Sequence, residues 1–377
     1  MIRRVVAIVV TALVPVGCMK LDGLFFETEK AASIEKDYHG LPLTLSDTPP
    51  EWIETAEIDR EIYISTDSGN TIPKAQLDDS GPYIHGAFLH APTDCPETAC
   101  PLTGQEITFL YQHGNAGNLF KYWYRAVALW QMGANVFVYD YRGYGLSSGE
   151  ASRKNVLEDV VAAMTYLKGR DDIDPERIIA YGYSMGGIPT SYLVGQSKHK
   201  GVSFGVILES ALDSPDSTVS LSTGTEFPTG FFQDSTPFFG PDFIKDAPDV
   251  PILHMHGGKD ERVVMAQALE YYDALKDRDD YTPYLGKENK LHEDWIKEAG
   301  HRNLPVVSFK GELHIPDYYD DKKNPSHCCI HPIEYQDAVH QAFLDAIGKT
   351  TGEEMTNDAA NYQRLVSDWI FGLLNES

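Results

Sequence analysis

The amino-acid sequence predicts an α/β protein with a mostly parallel central sheet, helices on both faces and an inserted cap region. Three observations carry that expectation. From residue 58 onward, short apolar runs alternate with longer amphipathic stretches, the pattern of strands joined by crossover helices. Two strand-like runs open the series before the first helical stretch, which places an antiparallel edge at its start. The alternation lapses over 211–250, where Ser, Thr, Pro and Phe accumulate without a period, and resumes at 252. The 377 residues, 42% hydrophobic and 23% charged, are enough to bury a large core, and one domain with insertions fits the length.

The elements follow in order. Strands are expected at 62–64, 83–89 and 107–111, then a helix over 119–131, a strand at 136–139 and an amphipathic helix over 154–168. A strand at 178–181, a helix over 186–195 and a strand at 206–208 continue the alternation. The stretch 211–250 contains Phe227, Phe231, Phe232, Phe238, Phe239 and Phe243. It is expected to be a cap, because ligand sites beside the carboxyl ends of strands favour aromatic linings. The alternative is a loop whose rings fill gaps in the core. A strand at 252–255 and a helix over 263–276 follow, then two acidic, loop-like insertions at 277–293 and 304–330, with a short last strand at 295–296 between them. Helices over 334–347 and 357–374 close the chain. The expected organisation is a leader at 1–17, an arm at 18–57 rich in Pro, Asp and Glu, a main domain at 58–350 and a C-terminal helix within 351–377.

The leader begins with Arg3 and Arg4 and continues as an apolar run over residues 5–16. That run is shorter than the roughly 20 residues needed to cross a bilayer, so it reads as a signal segment more readily than as an anchor helix. It ends in Gly17-Cys18, which resembles the processing site of bacterial lipoproteins, where the Cys becomes the lipidated first residue; Pro15 stands where that pattern prefers Leu. An ordinary secretory signal and an uncleaved short anchor are the alternatives. Setting Cys18 aside leaves four of the five cysteines, an even number suited to an oxidising compartment. Cys95 and Cys100 are spaced for a small loop-closing disulfide. Cys328 and Cys329 are adjacent and stay open between free thiols, a strained vicinal bond and other partners; with His327 and His331 they are a weak metal candidate beside a plain loop. No metal or organic cofactor is otherwise expected. The formal charge of −25 repels phosphate backbones, so nucleic acid is excluded as a partner.

The chemistry is concentrated at strand ends. Gly182-Tyr183-Ser184-Met185-Gly186-Gly187 directly follows an apolar strand and precedes a helix. Glycines on both sides of Ser184 let the chain turn sharply and leave its hydroxyl projecting at the strand tip, as a nucleophile requires; a plain N-cap Ser is the alternative. The strand at 107–111 runs into His113-Gly114-Asn115-Ala116-Gly117-Asn118, whose glycines allow close approach to a substrate. After the strand at 252–255 comes His256-Gly257-Gly258-Lys259-Asp260-Glu261, a Gly-rich turn with a carboxylate where a helix starts. Asp260 is the candidate acid, able to accept an imidazole N–H and fix its tautomer, with Asp213 in reserve and Glu261 a minor alternative. His301, after Ala299-Gly300, is the candidate base; His292 and His314 lack that setting.

As a set, HGNAGN, YDYRGYGLSSGE at 139–150, GYSMGG, HGGKDERVV and AGHRNLP resemble the serine hydrolases of the α/β-hydrolase fold, in particular the serine-aminopeptidase-like subgroup that includes the α/β-hydrolase-domain acyl hydrolases. The resemblance covers about 58–304. It implies the chain order Ser184, Asp260, His301, and an oxyanion hole formed by the N–H groups of Met185 and Asn115. His113 precedes the Ser, so it is expected to brace its loop, and Arg142 is expected to be structural. The segment between Asp260 and His301 is longer and more polar than in compact members, and the chain beyond 304 has no counterpart. The reaction implied is hydrolysis through an acyl-enzyme, with a small-molecule or lipid acyl substrate. The Phe-rich insert favours carboxylic esters of apolar or aromatic groups. Thioesters, lysophospholipids and peptides are alternatives, as is an inactive envelope protein that only binds. Membrane association is expected only through a lipid at Cys18.

Overall fold

A computed structural model describes residues 25–31, 53, 56–79, 81–97, 99–195, 204–218, 236–248, 250–256, 263, 265–285 and 358–376. Its eight strands are β1 (Ile58–Ser65), β2 (Tyr83–Leu89), β3 (Thr108–Gln112), β4 (Asn135–Asp140), β5 (Ile178–Tyr183), β6 (Gly205–Glu209), β7 (Ile252–His256) and β8 (Tyr281–Leu285). They form one sheet in the order β1-β2-β4-β3-β5-β6-β7-β8. The β1–β2 and β2–β4 pairs are antiparallel and all others parallel, which is the antiparallel edge the two opening runs predicted.

The helices are α1 (Leu119–Trp130), α2 (Arg153–Lys168), α3 (Gly187–Gly195), α4 (Gly240–Ile244), α5 (Met265–Leu275) and α6 (Asp358–Glu376). Strand periodicity sorts the core into two layers, since alternate side chains point to opposite faces. Phe109, Tyr111, Val136, Val138, Ile179 and Tyr181 pack with α1 and with Trp369, Ile370 and Leu373 of α6. Leu110, Phe137, Tyr139, Ile178 and Ala180 pack on the other face with α2 and α3. Central parallel strands covered on both faces must be apolar throughout, and β3, β5 and β6 are buried at every position. The α6 helix sits close to the sheet, because a Cβ on Gly205 would lie 2.8 Å from the Trp369 ring.

Two expectations are corrected. The stretch 277–293, expected as a loop insertion, contains β8, which pairs in parallel with β7 from Ile252↔Tyr281 to His256↔Leu285. Pro283 in its middle argues against a strand, but among the described residues β8 is the last strand of the sheet, and an edge strand tolerates a missing N–H. Phe238, assigned to a cap, is 3% exposed and belongs to the core layer of α2 and α3, so the gap-filling alternative holds for that ring. The expected strand at 295–296, the insertion at 304–330 and the helix over 334–347 lie outside the described residues.

Candidate active site

The strand order places the site. β3 is flanked by β4 on one side and β5 on the other, so the chain leaves the carboxyl ends of β3 and β5 in opposite directions and opens a crevice between them. Ser184 and the loop carrying Asn115 stand at those two ends, with Gln112 and Gly182 paired in register beneath them.

Ser184 follows the last residue of β5 and has φ +53°, a left-handed conformation rarely adopted by residues with a side chain. The chain passes through a single 3-10 turn (Ser184–Gly186) into α3. That turn needs bare backbone around it. A Cβ on Gly182 would lie 2.5 Å from Thr190 Oγ1, and one on Gly186 would lie 2.2 Å from the Gln112 carbonyl oxygen. The turn is tied from several directions: the Gln112 amide donates to Thr190 Oγ1 (2.7 Å), Thr190 Oγ1 donates to the Gly186 carbonyl (2.8 Å), and the Leu212 N–H donates to the Ser184 carbonyl (2.9 Å). Ser184 is 7% exposed and Met185 is fully buried.

The loop after β3 is built to hold Asn115. The His113 side chain is fully buried, stacks on Tyr122 (5.0 Å between centroids) and has Nδ1 2.7 Å from the Gly114 carbonyl, while Tyr141 Oη donates to its backbone oxygen (3.0 Å). This histidine braces the loop. Asn118 caps α1, accepting from the Phe120 N–H at 3.0 Å, and Asp140 accepts the Leu119 N–H at 2.6 Å. The Asn115 side chain accepts from Tyr144 Oη (2.8 Å) and from the Glu27 N–H (3.2 Å) and donates to the Phe25 carbonyl (2.5 Å).

The remaining candidates differ in how far the structure reaches them. Asp260, Glu261 and His301 lie outside the described residues, as do Cys18, Cys328 and Cys329. The ends of the Asp260 turn are described: His256, at the end of β7, has Nε2 2.8 Å from the Val263 carbonyl and so spans the base of the turn. Asp213, the reserve acid, is 4% exposed and its Oδ1 accepts from the Ser214 N–H (2.5 Å), from Gln267 Nε2 (2.8 Å) and from the Ser217 hydroxyl; the helical turn at 215–218 is capped by Ser214, whose Oγ accepts the Ser217 N–H (3.1 Å). Arg142 is structural, as expected: its Nε donates to Asp159 (2.5 Å) and its Nη2 to Glu158 (2.9 Å) and the Asn155 carbonyl (3.0 Å). Cys95 and Cys100 form a disulfide with Cα atoms 5.9 Å apart. Among the described residues no group of three His, Cys, Asp or Glu side chains could hold a metal ion, and no helix is long and apolar enough to cross a membrane.

One support of the site escaped the sequence reading. Glu209 ends β6 fully buried; its carboxylate oxygens accept from Arg125 Nη1, at 3.0 and 2.9 Å, and from Tyr181 Oη at 2.5 Å. The Arg125 guanidinium lies 3.7 Å over the ring of Tyr183, the residue before Ser184. The signal was available: a carboxylate closing the apolar run Gly205–Glu209 cannot be buried without a cation or several donors.

The sheet order, the left-handed Ser at the β5–α3 turn and the crevice between β3 and β5 define an α/β-hydrolase fold. The profile of the prolyl oligopeptidase family matches residues 120–308, from α1 past the candidate base, and the chain belongs to that family. It is 29% identical over 197 residues to the uncharacterized protein YfhR of Escherichia coli O157:H7, covering 52% of this chain and 66% of that one. It is 30% identical over 224 residues to alpha/beta hydrolase domain-containing protein 17C of Xenopus laevis, covering 59% and 63%. The chain thus spans slightly less than two thirds of the length of these relatives. Among solved structures it resembles the Pyrococcus furiosus esterase Pf2001, with a TM-score of 0.46, 17% identity and coverage of 65% of this chain and 87% of that one.

Proposed function

We propose that this chain is a serine hydrolase that cleaves carboxylic esters of apolar acyl or aromatic groups through an acyl-enzyme. The observation that carries the reading is Ser184 held at φ +53° on the tip of β5, across the crevice from the Asn115 loop. In the proposed reaction His301 takes the Ser184 proton while Oγ attacks the acyl carbonyl, and Asp260 holds the imidazole tautomer and stabilises the imidazolium. The N–H groups of Met185 and Asn115 receive the negative charge that develops on the carbonyl oxygen. His301 then protonates the departing alcohol, and water activated by the same imidazole releases the acid.

The test is hydrolysis of a p-nitrophenyl ester series, from acetate to palmitate, by the chain and by Ser184→Ala. Turnover should fall by a factor on the order of 10³ or more in the variant, and a fluorophosphonate should label the parent chain only. Equal turnover by both proteins would sink the assignment of Ser184. A peptide substrate is the second reading, favoured by membership of a family described by its oligopeptidases; it predicts that peptide amides turn over as well as esters of the same acyl group, and amides left intact would exclude it. We also propose export and lipidation at Cys18, because Gly17-Cys18 follows a basic and then an apolar segment. Globomycin should block processing, and Cys18→Ser should abolish partition into detergent.

A further inference from the structure

Residues 25–31 precede the sheet by some way in sequence and yet run alongside the loop after β3, which faces Ser184, and the loop after β4. Thr28 bridges Gly117 of the β3 loop and Lys30 bridges Gly145 of the loop after β4, both in parallel register. Four backbone and terminal bonds hold the strap there: Gly117 N–H to the Glu27 carbonyl (3.3 Å), Gly145 N–H to the Glu29 carbonyl (2.8 Å), Ala31 N–H to the Gly145 carbonyl (3.0 Å) and Lys30 Nζ to the Ser147 carbonyl (2.7 Å). The Asn115 side chain is clamped between the strap and Tyr144, through the Phe25 carbonyl, the Glu27 N–H and Tyr144 Oη. That side chain is therefore committed to structure, which leaves the backbone N–H as the donor the reaction calls for.

An oxyanion donor acts only if it is fixed before charge develops, within about half an ångström of the productive position. The loop that carries Asn115 has glycine on both sides, and Gly117 adopts φ +92°, so it is intrinsically soft. The strap supplies what it lacks, tying this loop to the loop after β4 in one hydrogen-bonded ribbon. The strap also brings two buried rings: Phe25 packs edge-on against Phe26 (5.1 Å), and Phe26 against Phe238 of the insert (6.3 Å). All three share an apolar cluster with Met185 and Leu212, the residues beside Ser184.

We propose that residues 25–31 are a positioning element of the hydrolytic site: they hold the Asn115 loop in donor geometry, and Phe25 and Phe26 anchor them in the core cluster that contains Met185 and Leu212. This rests on the proposed ester hydrolysis and adds to it a part contributed by a segment outside the main domain. The experiment compares the full chain with three variants: deletion of 25–31, Glu27→Pro, which removes the N–H that Asn115 accepts, and Phe25→Ala/Phe26→Ala. Hydrogen exchange of peptides covering 113–118 and 143–148 is read together with the rate of fluorophosphonate labelling and with kcat and KM across the ester series. The deletion and Glu27→Pro should speed exchange in both loops by roughly tenfold and lower kcat by about 10²-fold at every chain length, since one lost oxyanion donor costs that much. Phe25→Ala/Phe26→Ala, which loosens the anchor while leaving the hydrogen bonds in place, should move exchange and kcat in the same direction by a smaller factor.

Unchanged exchange together with unchanged labelling in Glu27→Pro would overturn the positioning role. Glu27→Pro and the double Phe variant decide the matter if the deletion fails to fold. A parent chain inert to every ester and to the fluorophosphonate would instead defeat the hydrolase reading, while exchange would still report whether the strap holds the loops.

Discussion

Ser184 can occupy a left-handed conformation only because its neighbours take up no room. The glycine at 186 approaches the Gln112 carbonyl so closely that a Cβ would stand 2.2 Å from backbone oxygen, and backbone cannot rotate away as a flexible side chain can. Gly186→Ala must therefore push the β5–α3 turn off β3. We expect it to cost about 3 kcal/mol or more, as overpacking against rigid neighbours does, measured by urea unfolding, and to abolish fluorophosphonate labelling at temperatures where the chain is still folded. Gly149→Ala is the control for backbone strain alone, since Gly149 has φ +65° but its Cβ would meet nothing nearer than 3.8 Å; it should cost about 1 kcal/mol. This part of the site was legible in the sequence, because a Gly-x-Ser-x-Gly turn between an apolar strand and a helix states its steric needs locally. The roles of His113 and Arg142 followed from chain order and from the family resemblance. The engagement of Asp213 by Gln267 did not, because the two residues meet only in the folded chain.

At the scale of elements, α1, β5 and β6 are locked together by one buried charge cluster. Arg125 of α1 is 1% exposed, and Glu209 is fully buried, so neither charge is compensated by water. Arg125→Met removes the cation beside a buried carboxylate, which should destabilise the chain by about 3–5 kcal/mol. Arg125→Met/Glu209→Leu removes both charges and should recover most of that loss in the same denaturation series. A double variant no better than the single would show that packing under Tyr183, rather than charge, is what Arg125 supplies. The elements themselves were largely legible. Each central strand is an apolar run, and the structure extends most of them by one or two residues because backbone pairing continues past the last apolar side chain. β8 was not legible, since whether Tyr281–Leu285 forms a strand depends on the open edge of β7, which lies in tertiary space.

For the whole molecule, acid stability is the informative variable. His254 is buried between β7, α5 and β8, with Nδ1 2.9 Å from Tyr281 Oη; burial, aided by His256, pushes it down to about 3. Burial also lowers His85, against the pull of Asp140. Each regains its ordinary value near 6.5 when the chain unfolds. The unfolded state then binds more protons, so stability is complete above about pH 6.5 and is lost as pH falls below it, by up to about 1.4 kcal/mol per pH unit for each histidine. Unfolding free energies at pH 7.5, 6 and 5 should therefore decline more steeply for the parent chain than for His254→Asn. Parallel slopes would mean that His254 is protonated in the folded state.

The sequence by itself determined the fold class, the turn that carries Ser184, the loop facing it and the family resemblance, because each is written in contiguous residues whose spacing reflects local sterics. Tertiary structure alone decided which distant segments meet. It set Glu209 against Arg125, gave β8 to the edge of β7, moved Phe238 from cap to core and laid residues 25–31 along the loops around Asn115 and Gly145. Those contacts join residues as much as 117 positions apart. They are chosen by the burial of charge, unpaired backbone and aromatic surface, which is settled only when the whole sheet has closed.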